Sequence, residues 1–161
     1  MREDLAAFPQ AVRASLTQPA RTYTRVTDLL AVQGAIPDSL RPLVTRELAP
    51  GIGLIPADRA PQLPQTARIT PVYALGPAGS PMVPTGRVLV RFGEGERAES
   101  QGGAIERAGY RLVAALPYAP QAAWVESPAG PARGLSELAR LEAIPGVVSV
   151  EPEMVGGRAA R

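Results

Sequence analysis

The chain has 161 residues and a net charge of +2, so it has room for one ordinary domain or for a small domain with an extension. It contains no histidine, cysteine, lysine or asparagine, which excludes Ser-His-Asp catalysis, cysteine nucleophiles and Schiff-base lysines. Zinc would also lack its usual nitrogen and sulfur ligands. We therefore expect a protein that is not an enzyme and that uses no cofactor and no metal.

The cations are all arginines, and they are scattered among acidic residues rather than gathered into a basic stripe. This distribution disfavours a nucleic-acid partner. No apolar run is long enough to span a bilayer, so we expect no membrane partner either. The first residues carry two acids where a signal peptide needs cations. We expect a cytoplasmic protein, or a secreted one if an upstream leader has been removed.

Residues 1–55 are predicted to form short helices as an N-terminal extension. Apolar residues recur near helical spacing over Leu5–Leu16 and again over Leu40–Leu48. Thr27 and Asp28 are suitable caps for a further short helix. Helices of this length do not persist alone in water, so they must dock on the rest of the chain or on a partner.

Residues 56–84 are predicted to be a proline-rich connection, because they contain seven of the prolines. The stretch Ala67–Leu75 favours a strand, and a Gly-Pro-Ala-Gly turn follows it. We expect an irregular hairpin that leads into the next domain.

Residues 85–155 are predicted to be that domain. Arg87–Phe92 alternates, with Val88, Val90 and Phe92 on one face and Arg87, Leu89 and Arg91 on the other. The further predicted elements are a helix at Arg97–Ala108, strands at Tyr110–Leu116 and Ala122–Ser127, a helix at Gly134–Ala143 and a strand at Val147–Glu151. This order predicts a ferredoxin-like α+β fold: a four-stranded antiparallel sheet with two helices on one face. Residues 156–161 would be a flexible tail.

Two strings resemble a known family. Pro84–Phe92 has an extended Val-x-Val-x-Phe pattern, and Leu138–Glu153 is a leucine-rich helix followed by Pro-Gly-Val-x-x-Val-Glu-Pro. Both resemble the prodomains of subtilisin-like serine proteases. The residues before them, Pro71-Val72-Tyr73 with Pro81-Met82-Val83-Pro84, resemble the lead-in found in the fervidolysin-like branch of that family. The resemblance covers residues 70–155 and leaves the role of residues 1–65 open.

The resemblance implies a function and a set of site residues. Such prodomains assist the folding of their protease and inhibit it, with the C-terminal tail in the substrate cleft. The implied docking face is the helix-free side of the sheet, with Arg87, Leu89, Arg91 and Trp124. Acids at the end of the last strand, Glu151 and Glu153, would meet the N-termini of helices on the protease. The implied cleft residues are Gly156, Gly157, Arg158, Ala159, Ala160 and Arg161, with Arg161 in the specificity pocket.

Other interpretations stay open. The chain could be a non-inhibitory adaptor that holds a partner by its sheet face, with the helical N-terminus as a recruitment element. A single-stranded RNA binder shares the topology but would need aromatic residues on the central strands, where only Phe92 and Trp124 are present. Glu151 and Glu153 could also be ordinary solvated acids, and Trp124 a packing residue.

Overall fold

The structure is a computed structural model that describes residues 5–15, 21–34, 38–64, 66–75 and 79–156. These residues form a nine-stranded sheet with antiparallel pairings throughout. The strands are β1 (Ala11–Arg13), β2 (Thr22–Gln33), β3 (Arg46–Ala49), β4 (Ile52–Pro56), β5 (Arg68–Leu75), β6 (Pro81–Phe92), β7 (Arg111–Leu116), β8 (Ala119–Glu126) and β9 (Val147–Gly156). The α-helices are α1 (Gly102–Arg107), α2 (Pro131–Ser136) and α3 (Leu138–Glu142). Short 3-10 helices lie at Leu5–Ala7, Asp38–Leu43, Ala57–Gln62 and Ala98–Gln101.

The sheet has two regions. The N-terminal region, residues 5–75, contains the strand order β3-β4-β2-β5, with β1 paired to the first part of β2. The C-terminal region, residues 79–156, contains the order β9-β6-β8-β7. The helices α1, α2 and α3 all belong to the C-terminal region.

Strand β6 joins the two regions. Its first residues pair with β5, with Met82 opposite Tyr73, and its last residues pair with β8, with Leu89 opposite Trp124. The pairing of β6 with β9 shifts register between Pro84 and Val88. Gly86 lies at this shift with φ +95°, a conformation that glycine adopts without the steric penalty of a side chain. Strands β5 and β8 thus pair with different parts of the same edge of β6, and β9 pairs with the other edge.

The prediction of a four-stranded ferredoxin-like fold is therefore wrong. The sheet has nine strands, because β6 begins at Pro81 rather than near residue 87 and continues into the N-terminal region through β5. The prolines of residues 56–84 suggested a connection. Three of them belong instead to β5 and β6: Pro71, Pro81 and Pro84.

The prediction of a helical N-terminal extension is also wrong. Strand β2 runs through Thr27 and Asp28, the expected helix caps, and the register of its pairing with β5 shifts between Val26 and Leu30. Leu48 lies on β3, and among the described residues the predicted helices correspond only in part to the 3-10 helices at Leu5–Ala7 and Asp38–Leu43. Leu16, the last residue of the first predicted helix, lies outside the described residues.

Within the C-terminal region, the strands and helices follow the predicted sequence of elements with different bounds. The first predicted helix is a 3-10 turn at Ala98–Gln101 that leads into the short helix α1. The second begins earlier, at Pro131, and is interrupted at Glu137 between α2 and α3. Strand β9 continues to Gly156.

The largest buried cluster joins the helices to the sheet of the C-terminal region. It includes Val88 and Val90 of β6, Ile105 of α1 and Leu141 of α3. Alternate residues of β6 point into this cluster, so Arg87, Leu89 and Arg91 point to the side of the sheet that the helices leave open. Two smaller clusters lie around Ile55, within the N-terminal region, and around Val72, where Val83 of β6 joins residues of the N-terminal region.

Residues 5–15, which we call the N-terminal strap, attach the two regions to each other. Phe8 and Val12 are buried in the large C-terminal cluster. The Tyr73 hydroxyl of β5 donates a hydrogen bond to the Pro9 carbonyl at 2.6 Å, and Arg13 forms an ion pair with Glu142 of α3. Leu5 also packs against both the large cluster and the cluster around Ile55, so the strap contacts the cores of both regions.

No helix in the described part of the chain combines the length and apolar character that a membrane crossing requires.

Candidate functional site

The predicted docking residues come together on three neighbouring strands. Leu89 of β6 is opposite Trp124 of β8 on one side and Glu151 of β9 on the other. Arg87 and Arg91 are two residues before and after Leu89, and therefore on the same face of β6. We call these five residues the helix-free face.

The centre of the helix-free face is an apolar pair. Leu89 and Trp124 are direct cross-strand partners, so their Cβ atoms lie about 4.5–5.5 Å apart. Both side chains are half-buried rather than enclosed. Trp124 is the single tryptophan of the chain, and it contributes a large apolar surface in a sequence that has few aromatic residues.

Two arginines flank the apolar pair. Arg87 is exposed and Arg91 is half-buried, and neither forms an ion pair with a carboxylate in the part of the chain that the structure describes. Arg111 of β7, by contrast, is paired with Glu126 of β8 at one end of the face. Sequence reasoning did not include this ion pair in the site, although the alternation of the strand from Ala122 to Ser127 places Glu126 on the same face as Trp124.

The two predicted helix-capping acids have different surroundings. Glu151 accepts a hydrogen bond from the Ser149 hydroxyl at 3.0 Å, and the Ser15 hydroxyl of the strap lies 3.5 Å from the same oxygen. Burial raises the pKa of the nearby Tyr23, and although Arg21 lowers it, the negative charge of Glu151 raises it further. The carboxylate of Glu151 is thus held between β9 and the N-terminal region.

Glu153 is more accessible. Its Oε1 atom accepts a hydrogen bond from the Thr85 hydroxyl at 2.7 Å, in an exposed position. The Thr85 hydroxyl also accepts a hydrogen bond from the backbone N–H of Arg87 at 3.1 Å. Of the two acids, Glu153 is therefore the one whose surroundings resemble a surface that could meet a partner.

The predicted cleft residues are described only at their start. Gly156 is the last residue of β9 and pairs with Met82 of β6. A Cβ atom on Gly156 would lie 3.3 Å from the Met82 Cγ atom, so the glycine permits a close approach of the two strands. The other predicted cleft residues, Gly157, Arg158, Ala159, Ala160 and Arg161, lie outside the described residues.

The chemistry of the helix-free face is that of recognition. An apolar pair with guanidinium groups on both sides can bury surface against a partner and donate hydrogen bonds to its acidic groups. Where the structure describes the chain, no three or more Asp or Glu residues form a cluster that could hold a metal ion.

No family model, no curated protein and no solved structure matches this chain. The resemblance to subtilase prodomains therefore rests on the sequence strings alone.

Proposed function

We propose that this protein binds another protein through the helix-free face, and that the partner is a subtilisin-like serine protease whose activity it inhibits. The observation that carries the proposal is the pairing of Leu89 with Trp124, between two arginines that have no ion-pair partner among the described residues.

Residue types support the use of this face for binding. Tryptophan and arginine are the residues most enriched among those that dominate binding energy, and they act best near the centre of an interface. Trp124 is at the centre of the face, and Arg87 and Arg91 are on either side of Leu89. A partner that covers the face would enclose the half-buried indole ring and remove it from water.

The charges of the face define the partner surface it would fit. Glu126 lies opposite Arg87 on one side and Arg111 on the other, and it forms its ion pair with Arg111. Arg91 lies opposite Ala122 and Ser149, so it has the most to gain from a carboxylate on a partner. Long-range attraction between unlike charges also speeds association. We therefore expect the partner to present acidic groups on either side of an apolar contact.

The identity of the partner and the inhibition come from the resemblance. In subtilase prodomains, the residues after the last strand occupy the substrate cleft of the enzyme. Here β9 ends at Gly156, and the sequence continues with Gly-Arg-Ala-Ala-Arg. We propose that these residues add to the cleft as an extended strand, in which main-chain hydrogen bonds supply affinity.

A second candidate is a docking protein that does not inhibit. It is favoured by the position of Glu151, which is hydrogen-bonded to Ser149 and close to Ser15. A carboxylate with these internal partners has less to gain at the N-terminus of a partner's helix. The two candidates share the docking face and differ in what happens at the protease cleft.

The docking face is tested by binding to a subtilisin whose catalytic serine has been blocked, so that the chain is not digested. Titration calorimetry would compare the wild type with Leu89→Asp and with Trp124→Ala. We expect each variant to raise the Kd by about 30-fold or more, as loss of a central residue costs about 2 kcal/mol or more. The matched control is Tyr118→Ala, which truncates an exposed aromatic side chain away from the face and should leave the Kd unchanged.

Inhibition is tested separately with active subtilisin and a chromogenic peptide. The full chain is compared with residues 1–156, which keep the whole of β9. Inhibition by the full chain that is lost in the shorter chain supports the proposed use of the cleft. Binding without inhibition by either chain supports the non-inhibitory candidate. No binding by a chain shown to be folded by circular dichroism contradicts the proposed partner.

A further inference from the structure

A groove in the N-terminal region lies far along the chain from the helix-free face. It has a volume of about 350 Å³ and is lined by Ala6 and Gln10 of the strap and by Arg25, Val26, Thr27, Leu29 and Leu30 of β2. It forms where the pairing of β2 with β5 shifts register between Val26 and Leu30. The groove is therefore built into the irregular part of a long strand.

Among the described residues that line this groove, Arg25 is the only charged one. Its Nη1 atom donates to the carbonyl oxygens of Leu5 at 2.9 Å and Phe8 at 3.5 Å, and these bonds fix the guanidinium against the strap. Its Nε and Nη2 atoms donate to no group within the described residues, and no described carboxylate forms an ion pair with Arg25. A half-buried guanidinium with free donors is a site for a planar anion, because its fork matches the two oxygens of a carboxylate.

The rest of the lining suits a ligand with one polar end. Val26, Leu29, Leu30 and Ala6 provide apolar contact, while Gln10 and Thr27 add exposed polar side chains. A volume of 350 Å³ lies at the lower end of the range for small-molecule sites, which is about 300–1,000 Å³. The occupant is therefore small, with about the bulk of an acylated amino acid.

We propose that this groove binds a small carboxylate with an aliphatic body, held by the free donors of Arg25, with its apolar part against Val26, Leu29 and Leu30. The proposal does not depend on the function proposed for the helix-free face, since the two sites have no residue in common. The same chemistry is presented by a free aliphatic acid and by the C-terminal end of a peptide.

The test uses the full chain labelled with nitrogen-15 and follows amide shifts during titration with N-acetylleucine. The neutral comparison is N-acetylleucinamide, which has the same shape without the charge. We expect the acid to shift the amides of Gln10, Thr27 and Leu29, and to bind at least about tenfold more tightly than the amide, as charge-assisted hydrogen bonds are the stronger ones. A third titration with acetyl-Ala-Ala-Leu distinguishes the sources: tighter binding than N-acetylleucine identifies a peptide C-terminus, and weaker binding a free acid.

Two variants on β2 serve as probe and matched control. Thr27→Trp fills the groove and retains Arg25, so it should weaken binding of N-acetylleucine at least about tenfold through steric exclusion. Thr24→Trp places the same side chain at an exposed position of β2 that does not line the groove, and it should leave the affinity unchanged. Equal affinity for acid and amide, no shifts at these amides, or equal loss in both variants would overturn the proposal.

Discussion

The two regions of this molecule share one sheet but bury their apolar residues in different ways. The C-terminal region packs three α-helices against its strands, and the resulting cluster contains Ile105 and Leu141 at 0% exposure. Where the structure describes it, the N-terminal region has 3-10 helices and no α-helix. Most of its buried residues fall into two smaller clusters, one of which also includes Val83 of β6. The strap also contributes Phe8 and Val12 to the larger core. We infer that the N-terminal region depends on its attachment to the C-terminal region through β6 and through the strap.

The largest expected effect comes from breaking that attachment at the strap. Phe8→Ala should lower the free energy of unfolding by about 3–5 kcal/mol, because it leaves a cavity inside the shared core. Chemical denaturation would measure the change, and Phe8→Leu, which keeps most of the apolar volume, should cost much less. If hydrogen exchange of the β4 amides is as slow in Phe8→Ala as in the wild type, the N-terminal region does not depend on the strap.

A smaller effect is expected at Gly86, where the pairing of β6 with β9 shifts register. Gly86→Ala should cost about 1–3 kcal/mol, because φ is +95° and a Cβ atom would lie 3.4 Å from the Cγ atom of Pro131. The matched control is Gly102→Ala in α1, where φ is −54° and no atom lies within 4 Å of the added methyl group. There alanine should stabilise by up to about 1 kcal/mol. Equal changes in the melting temperature of the two variants would show that the backbone at Gly86 is not constrained.

Each region contains a buried tyrosine whose hydroxyl group donates a hydrogen bond to a backbone carbonyl. The Tyr73 hydroxyl donates to Pro9 at 2.6 Å and the Tyr110 hydroxyl to Gly134 at 2.6 Å. Each change to phenylalanine should cost about 1 kcal/mol, the usual net contribution of one hydrogen bond. Urea unfolding of both variants at neutral pH would measure these losses.

The same tyrosines predict a dependence of stability on alkaline pH. Burial raises the pKa of Tyr73 to about 12, although Arg25 opposes the rise, and burial together with Glu137 raises the pKa of Tyr110. Because the unfolded tyrosines titrate near pH 10, the folded state keeps its protons longer. Stability is therefore intact below about pH 10 and falls as the pH rises toward 12. Urea midpoints measured from pH 8 to 11 should fall less steeply in Tyr73→Phe, and a slope identical to that of the wild type would contradict this assignment.

The smallest expected effect is at the exposed link between the regions. Arg13→Ala removes the ion pair with Glu142, whose partners have side-chain exposures of 41% and 16%. The expected loss is below about 1 kcal/mol, and it should shrink further at high salt because exposed pairs are screened. A loss as large as that of Phe8→Ala would mean that charge, rather than apolar burial, holds the strap.

The sequence contained enough local information to predict the strands and helices of the C-terminal region, but not the extent of its sheet. Alternation over Arg87–Phe92 and the spacing of leucines near Leu138 are signals that fit within a single element. In the strap, the spacing of Leu5, Phe8 and Val12 matches a helix, yet Phe8 follows a 3-10 turn and Val12 lies on β1. Both are buried because of contacts with the distant C-terminal core, which local spacing does not reveal.

The predictions that were based on turn and cap residues were wrong for a related reason. Thr27 and Asp28 are good helix caps, but in the structure they occupy the irregular part of β2. Pro81 begins β6, and Pro84 precedes the shift in its pairing with β9, which are positions where a strand tolerates the missing N–H. At the candidate site, alternation placed Arg87, Leu89 and Arg91 on one face. The approach of Ser15 to Glu151 joins residues 136 positions apart, and no local pattern predicts it.

The proposed contact between the helix-free face and a partner protease can be observed at Trp124, which is the single tryptophan of the chain. The protein would be labelled with 5-fluorotryptophan and its fluorine NMR signal recorded while subtilisin with a blocked catalytic serine is added. We predict that the Trp124 signal shifts or broadens in proportion to the complex formed, and that Leu89→Asp abolishes the change. An unchanged Trp124 signal in a mixture where calorimetry detects the complex would contradict the claim, as would the absence of any complex.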